Sequence, residues 1–170
     1  GVGLLRTELV FMKHSQMPDI QTQINDYKKV FDAMAHRPVV VRTLDVGGDK
    51  PLPYVAMKAE ENPFLGVRGV RLTLRKPEIF KQQLTALIQA SKQSSPDQDL
   101  RIMFPMIGRV EEWQKAREIL DEVLAENPHN KLQVGMMIEV PSSAIMAEKF
   151  APLVEFFSIG TNDLTQYAMA

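Results

Sequence analysis

The chain has 170 residues, 45% of them hydrophobic and 24% charged, a balance ordinary for one soluble globular domain and contrary to disorder or membrane insertion. Twenty basic residues against twenty-one acidic ones leave a net charge of -1, so no overall field draws in nucleic acid or an anionic membrane surface, and any anion site must be local. Cysteine is absent, which excludes a disulfide scaffold, a thiolate metal site and a cysteine nucleophile within these residues and fits a cytoplasmic setting.

The opening GVGLLRTELVFMKHS carries Arg6 and Glu8 inside its apolar part, so it lacks the uninterrupted core of a signal peptide. With no Met at position 1, the chain reads as a segment of something longer. Gly1 to Thr7 is a short apolar run that predicts a buried strand with Arg6 and Thr7 at its exit. Ile20, Ile24, Tyr27, Phe31 and Met34 fall at helical spacing behind Pro18-Asp19. PVVVRTL from Pro38 is a β-branched strand that exits into Arg42, Thr43 and Asp45. Residues 46–63 read as a long loop of the kind that is more often functional than idle.

Gly69 to Leu74 (GVRLTL) alternates and predicts a further strand. Pro77 starts an amphipathic helix with Ile79, Phe80, Leu84, Leu87 and Ile88 on one face. Leu100 to Met106 is the next strand, with a helix behind it marked by Val110, Trp113, Ile119, Leu120, Val123 and Leu124. Val134 to Glu139 ends another apolar run on an acid, Pro141-Ser142-Ser143 starts a short helix, and Val154 to Gly160 leads into Thr161-Asn162-Asp163.

Strands thus alternate with helices, and the exit residues Arg6, Arg42, Arg71, Phe104, Glu139 and Asp163 recur at intervals of roughly 30 residues, the period of a βα unit. Parallel strands joined by right-handed crossovers put every exit on one side. The expected fold is α/β, with about six βα units. Either it is a TIM-type (β/α)8 barrel, incomplete because a closed one needs about 250 residues, or it is an open doubly wound sheet.

Arg6 and Arg42 follow apolar strands at the same relative position and suit a phosphate or carboxylate, which guanidinium grips bidentately. Alternatively each pairs with a neighbouring acid, Glu8 or Asp45. Glu139 and Asp163 end apolar runs where an unpartnered charge is costly, and two carboxylates with waters and a substrate oxygen make a Mg²⁺ site. Asp163 is equally placed to cap the helix that follows. GGDK at Gly47 to Lys50 lacks the P-loop pattern and spacing. His14, His36 and His129 read as surface histidines. Met103, Met106, Met136, Met137 and Trp113 read as core.

Taken in order, GVGLLRTE, RTLDVGGDKPLPY, EENPFLGVRGVR, MIEVP and FFSIGTNDLTQY resemble the phosphoenolpyruvate-binding barrel of the phosphoenolpyruvate-protein phosphotransferases, enzyme I of the bacterial sugar phosphotransferase system and its relatives. The resemblance covers essentially all residues. Pyruvate phosphate dikinases and phosphoenolpyruvate synthases share versions of these motifs, but the GGDKPLPY continuation looks like enzyme I. The resemblance implies one domain over 1–170, truncated at both ends, with Arg6 and Arg42 on the substrate phosphate and Glu139 and Asp163 on Mg²⁺. Asn162 contacts the substrate, and Lys50 and Arg68 line the same pocket.

It further implies that the phosphoacceptor histidine, in an N-terminal domain, and the proton-donating cysteine lie outside this chain, so no catalytic residue is present. The partners implied are phosphoenolpyruvate and pyruvate, a histidine phosphocarrier protein reached through that missing domain, and a second copy in a homodimer. Two other readings stay open: a Mg²⁺-dependent lyase or aldolase acting on pyruvate, and a non-catalytic phosphoenolpyruvate-binding module.

Overall fold

The computed structural model describes residues 1–47, 52–55 and 60–169. It begins with β1 (Val2–Arg6), α1 (Glu8–Met12), α2 (Ile20–Met34) and β2 (Val39–Arg42). After a 3-10 turn at Pro63–Leu65 come α3 (Val70–Arg75), α4 (Pro77–Ser94), β3 (Leu100–Phe104) and α5 (Val110–Glu126). The chain continues through β4 (Leu132–Ile138), α6 (Pro141–Ile145), α7 (Ala147–Phe150), β5 (Phe156–Ile159) and α8 (Thr161–Met169).

The five strands form one parallel sheet in the order β1-β2-β3-β4-β5, curled into a half-barrel. A doubly wound sheet reverses its strand order at a switch point. This one never reverses, so that alternative falls. Side chains alternate along a strand, and Val41, Ile102 and Val134 stand side by side in register within the core cluster. Arg42, Met103, Gly135 and Phe156 are aligned on the opposite, concave face. Gly135 is required there, because a Cβ would lie 2.4 Å from the Phe156 carbonyl oxygen.

The sequence periodicity finds its match in the outer layer. Asp19 caps α2 by accepting from the Thr22 amide at 2.7 Å, and the helix buries Ile24, Tyr27 and Phe31 while Ile20 stays exposed. In α4, Phe80, Leu84, Leu87 and Ile88 are fully buried. Phe104, at the end of β3, sits between Phe80 and Trp113, with ring centroids 5.7 and 5.4 Å away. Met103, Met106, Met136 and Met137 are all buried.

One predicted strand is a helix. Residues 70–75 form α3, so among the described residues the sheet has five strands and not six. Gly69 adopts φ +56, a left-handed value that glycine takes without steric cost, and its carbonyl accepts from the amides of Leu72 and Thr73. That local start, together with the burial of Val70, Leu72 and Thr73, overrides the alternation of GVRLTL, since β propensity yields to tertiary context. The connection from β2 to β3 therefore spans residues 43–99, about two repeat lengths. No helix among the described residues is long and apolar enough to cross a membrane.

Candidate functional site: a charged rim at the strand ends

Four strand ends and one long connection meet at the carboxyl edge of the sheet. Arg6 and Arg42 are register partners on β1 and β2, and the Thr7 hydroxyl ties the two exits together by donating to the Arg42 carbonyl at 2.8 Å. Arg6 is exposed and forms no ion pair among the described residues. Arg42 is buried and held between Glu8 at 2.5 Å and Asp45 at 3.1 Å. Its Nη1 lies 3.9 Å from the Met137 sulfur, and its buried Nε has no partner among the described residues. Glu8 thus pairs across the sheet with Arg42 and not with its neighbour Arg6.

Asp45, wholly buried, is the hub of the rim. Besides Arg42 it binds Arg68, whose Nη2 lies 3.1 Å from its Oδ2. Arg68 Nη2 also reaches Asp163 Oδ2 at 3.3 Å, which links four elements in one chain of charges: Glu8, Arg42, Asp45, Arg68, Asp163. Burial opposes the Arg68 charge, and the Asp45 and Asp163 carboxylates outweigh it, so the guanidinium is held above its ordinary value. Sequence reasoning weighed Asp45 only as a partner for Arg42. The signal for a larger role was its place three residues after a strand-end arginine.

Arg68 arrives from the turn at Pro63–Leu65. Its guanidinium carbon lies 5.5 Å from the centre of the Phe64 ring, and that ring stacks on Tyr167 of α8 at 4.4 Å. The Tyr167 hydroxyl donates to the Phe64 carbonyl. Neither aromatic residue was singled out from sequence, although both stand inside motifs that were.

Glu139, directly after β4, is 1% exposed. Its Oε1 accepts the Met106 amide at 2.7 Å, an amide aimed by a left-handed Met106 with φ 61. Burial, reinforced by the charges of Asp45 and Asp163, pushes the Glu139 carboxyl up to about 7. Its Oε2 is reached by no donor among the described residues, and Gly160 keeps that side open: a Cβ there would lie 2.6 Å from Oε2. Asp163, in the first turn of α8, spends its carboxylate on Arg68 and caps no backbone amide among the described residues. Asn162 is exposed beside it. Lys50 lies outside the described residues.

Glu139 and Asp163 are oxygen donors of the kind a hard divalent cation takes, and Mg²⁺ commonly uses one or two carboxylates with waters and substrate oxygens. A carboxylate whose charge is opposed first by burial and then by like charges, with one oxygen unengaged among the described residues, fits such an ion. No group of three or more metal-ligating side chains occurs among the described residues, so a cation here would rely on this pair. Asp163 would have to turn one oxygen away from Arg68.

A cleft of about 730 Å³ between α3, α5 and α6 is lined by Arg71, Arg75, Arg109, Glu111 and Lys115. It lies outside this rim and mixes opposite charges on a solvated face. His36 is exposed. His14 and His129 are half-buried, bonded to Asp26 at 3.3 Å and to the Ser91 hydroxyl at 2.9 Å, and neither touches the site.

The sequence matches, over residues 1–170, the family described as PEP-utilising enzyme, PEP-binding domain. This chain belongs to that family. Among similar proteins are the phosphoenolpyruvate-protein phosphotransferases of Bacillus subtilis, 49% identical, and Latilactobacillus sakei, 48% identical, each matched over 100% of this chain. A multiphosphoryl transfer protein of Rhodobacter capsulatus is 48% identical over the same extent. The PEP-binding domain seen here spans 30% of the two phosphotransferases and 20% of the third protein. In fold it is similar to a lead(II) complex of Haloferax volcanii malate synthase, with a TM-score of 0.51 at 14% identity over 89% of this chain and 38% of that one.

Proposed function

We propose that this PEP-binding domain is the phosphoenolpyruvate- and Mg²⁺-binding part of an enzyme that moves a phosphoryl group from phosphoenolpyruvate to a histidine and on to a histidine phosphocarrier protein, releasing pyruvate in the service of sugar uptake or its regulation. The observation that carries this reading is the register pairing of Arg6 with Arg42 at one rim, with buried Arg68 beside them and Glu139 across from them.

Arg6 offers a guanidinium with no ion pair and Arg42 an Nε with no partner, both among the described residues, and Arg68 offers a fork released when Asp163 turns. Together they would grip the phosphate from several sides and spread the charge of the moving group. Glu139 and Asp163 would hold Mg²⁺, which when bound supplies Lewis-acid polarisation of a substrate oxygen. Asn162 and Lys50 would contact the substrate. Among the described residues, Glu8, Asp45, Glu139 and Asp163 face only Arg6, Arg42 and Arg68. An acid excess of this kind repels a substrate carrying both carboxylate and phosphate unless a cation enters with it.

The acceptor histidine and the proton-donating cysteine would come from other parts of a longer, cytoplasmic and dimeric protein. There the five strands would be completed to an eight-stranded barrel. These 170 residues alone would bind substrate without turning it over.

Calorimetry on the full-length protein with phosphonopyruvate, whose phosphonate cannot be transferred, tests the reading. Binding should require Mg²⁺ and weaken about tenfold or more in Arg6→Ala. Metal-independent binding would overturn it. Binding of pyruvate equal in wild type and Arg6→Ala, with no binding of the phosphonate, would favour a pyruvate lyase.

A further inference from the structure

Arg68 presents an unusual problem for an anion-binding arginine. It is almost completely buried, one edge of its fork is bonded to Asp45, and the remaining edge is bonded to Asp163. An incoming phosphate must take the Asp163 edge. When Asp163 turns to a cation, Arg68 loses one of its two carboxylate anchors at the moment when its orientation matters most.

What remains is Asp45 on one side and the Phe64 ring beneath the guanidinium. The ring is itself fixed twice by one residue of α8: Tyr167 stacks on it with an interplanar angle of 25° and donates its hydroxyl to the Phe64 backbone carbonyl. Asp163 and Tyr167 both lie on α8, four positions apart and so on one helix face. The helix that must release Arg68 through Asp163 therefore also braces it through Tyr167 and Phe64.

We propose that Tyr167, acting through Phe64, is a positioning residue that keeps Arg68 aimed at the substrate phosphate while Asp163 leaves it for a cation. This rests on the reading that Arg68 holds the phosphate and Asp163 the metal. The bracing is by the ring face: a cation over an aromatic ring is held by the ring quadrupole, and more strongly when desolvated, as Arg68 is. The hydroxyl contributes one further hydrogen bond to the Phe64 backbone.

The test is calorimetry on the full-length protein with Mg²⁺ present and two probes, phosphonopyruvate and oxalate, the second having no phosphorus group. Tyr167→Leu should weaken phosphonopyruvate about tenfold and leave oxalate within about twofold of wild type. Tyr167→Phe, which keeps the stack, should bind both nearly as wild type does. Phe64→Leu should repeat the result of Tyr167→Leu and carries the test if that variant does not fold.

In an Arg68→Lys background, the Tyr167→Leu penalty should vanish, because residues in one relay are not additive. A full additive penalty there would overturn the proposal. So would unchanged phosphonopyruvate binding in Tyr167→Leu and Phe64→Leu, or an equal loss for both probes. If Arg68→Lys itself binds phosphonopyruvate as wild type does, the phosphate reading of Arg68 fails and the relay with it. Strong loss in Arg68→Lys with none in Tyr167→Leu removes the relay alone.

Discussion

Arg6 and Arg42 are register partners on adjacent parallel strands, yet Arg6 is exposed and without an ion pair among the described residues, whereas Arg42 is buried between Glu8 and Asp45. Equivalent positions in sequence thus serve different structural ends. Removing Arg42 strands buried Glu8 and leaves Asp45 with Arg68 alone, and breaking a buried pair in this way typically costs about 3–5 kcal/mol. Arg42→Ala should destabilise the protein by that amount in urea titration. Arg6→Ala should stay within about 0.5 kcal/mol of wild type.

Glu139 should give stability a pH dependence of definite sign. Its carboxyl is raised from an ordinary 4.5 to about 7, so between those values the folded protein binds more protons than the unfolded one, and stability falls as pH rises. In the absence of divalent metal, Glu139→Gln should match wild type near pH 4 and exceed it near pH 8 by on the order of 3 kcal/mol. Melting curves of the two proteins at both pH values check this. The difference between them cancels the carboxylates that are lowered in the folded state, such as Asp26.

Gly160→Ala should damage the site through Glu139. The added Cβ would lie 2.6 Å from Oε2 and 2.8 Å from the Glu139 Cβ, so a buried side chain must move. A stability loss of about 1–3 kcal/mol is expected, with weaker Mg²⁺-dependent binding of phosphonopyruvate. Gly3→Ala is the control, since no atom of the described residues lies within 4 Å of a Cβ there.

Gln83 should matter more than its place on a helix suggests. Its side-chain oxygen accepts the Leu44 amide at 2.9 Å, and its nitrogen donates to the Tyr27 hydroxyl at 3.2 Å. The segment between Arg42 and Asp45 is thereby fastened to α4. Gln83→Leu leaves a buried amide unsatisfied, which costs about 1–3 kcal/mol, and calorimetry should show weaker phosphonopyruvate binding from a loosened Asp45.

The sheet was legible in the sequence where burial enforces a pattern. Apolar runs such as VVVR and MMIE mark buried parallel strands, and amphipathic periodicity marks α2, α4 and α5. Residues 69–74 misled because a six-residue segment with alternating apolar residues satisfies the strand pattern, while the left-handed Gly69 that starts the helix leaves no periodic trace. The charged exits were visible as residues but not as partners. That Glu8 crosses to Arg42, and that Asp45 serves two arginines, depends on which strands are neighbours, which spacing alone does not convey. Phe64 and Tyr167 lie 103 positions apart, so their stack exists only through the fold.

Strands β2 and β3 are neighbours, yet the chain travels through residues 43–99 between them. That detour supplies Asp45 near its start and then Phe64 and Arg68, which reach the rim as an arm laid over the sheet edge. The site is therefore an assembly of two parts joined at Asp45. Strand register fixes Arg6, Arg42 and Glu139, while residues 60–69 bring in Phe64 and Arg68 and meet that frame at the buried Arg68–Asp45 pair. Altered anion preference, whether by engineering or by divergence, would have to edit the arm while keeping a cation at position 68 to neutralise Asp45.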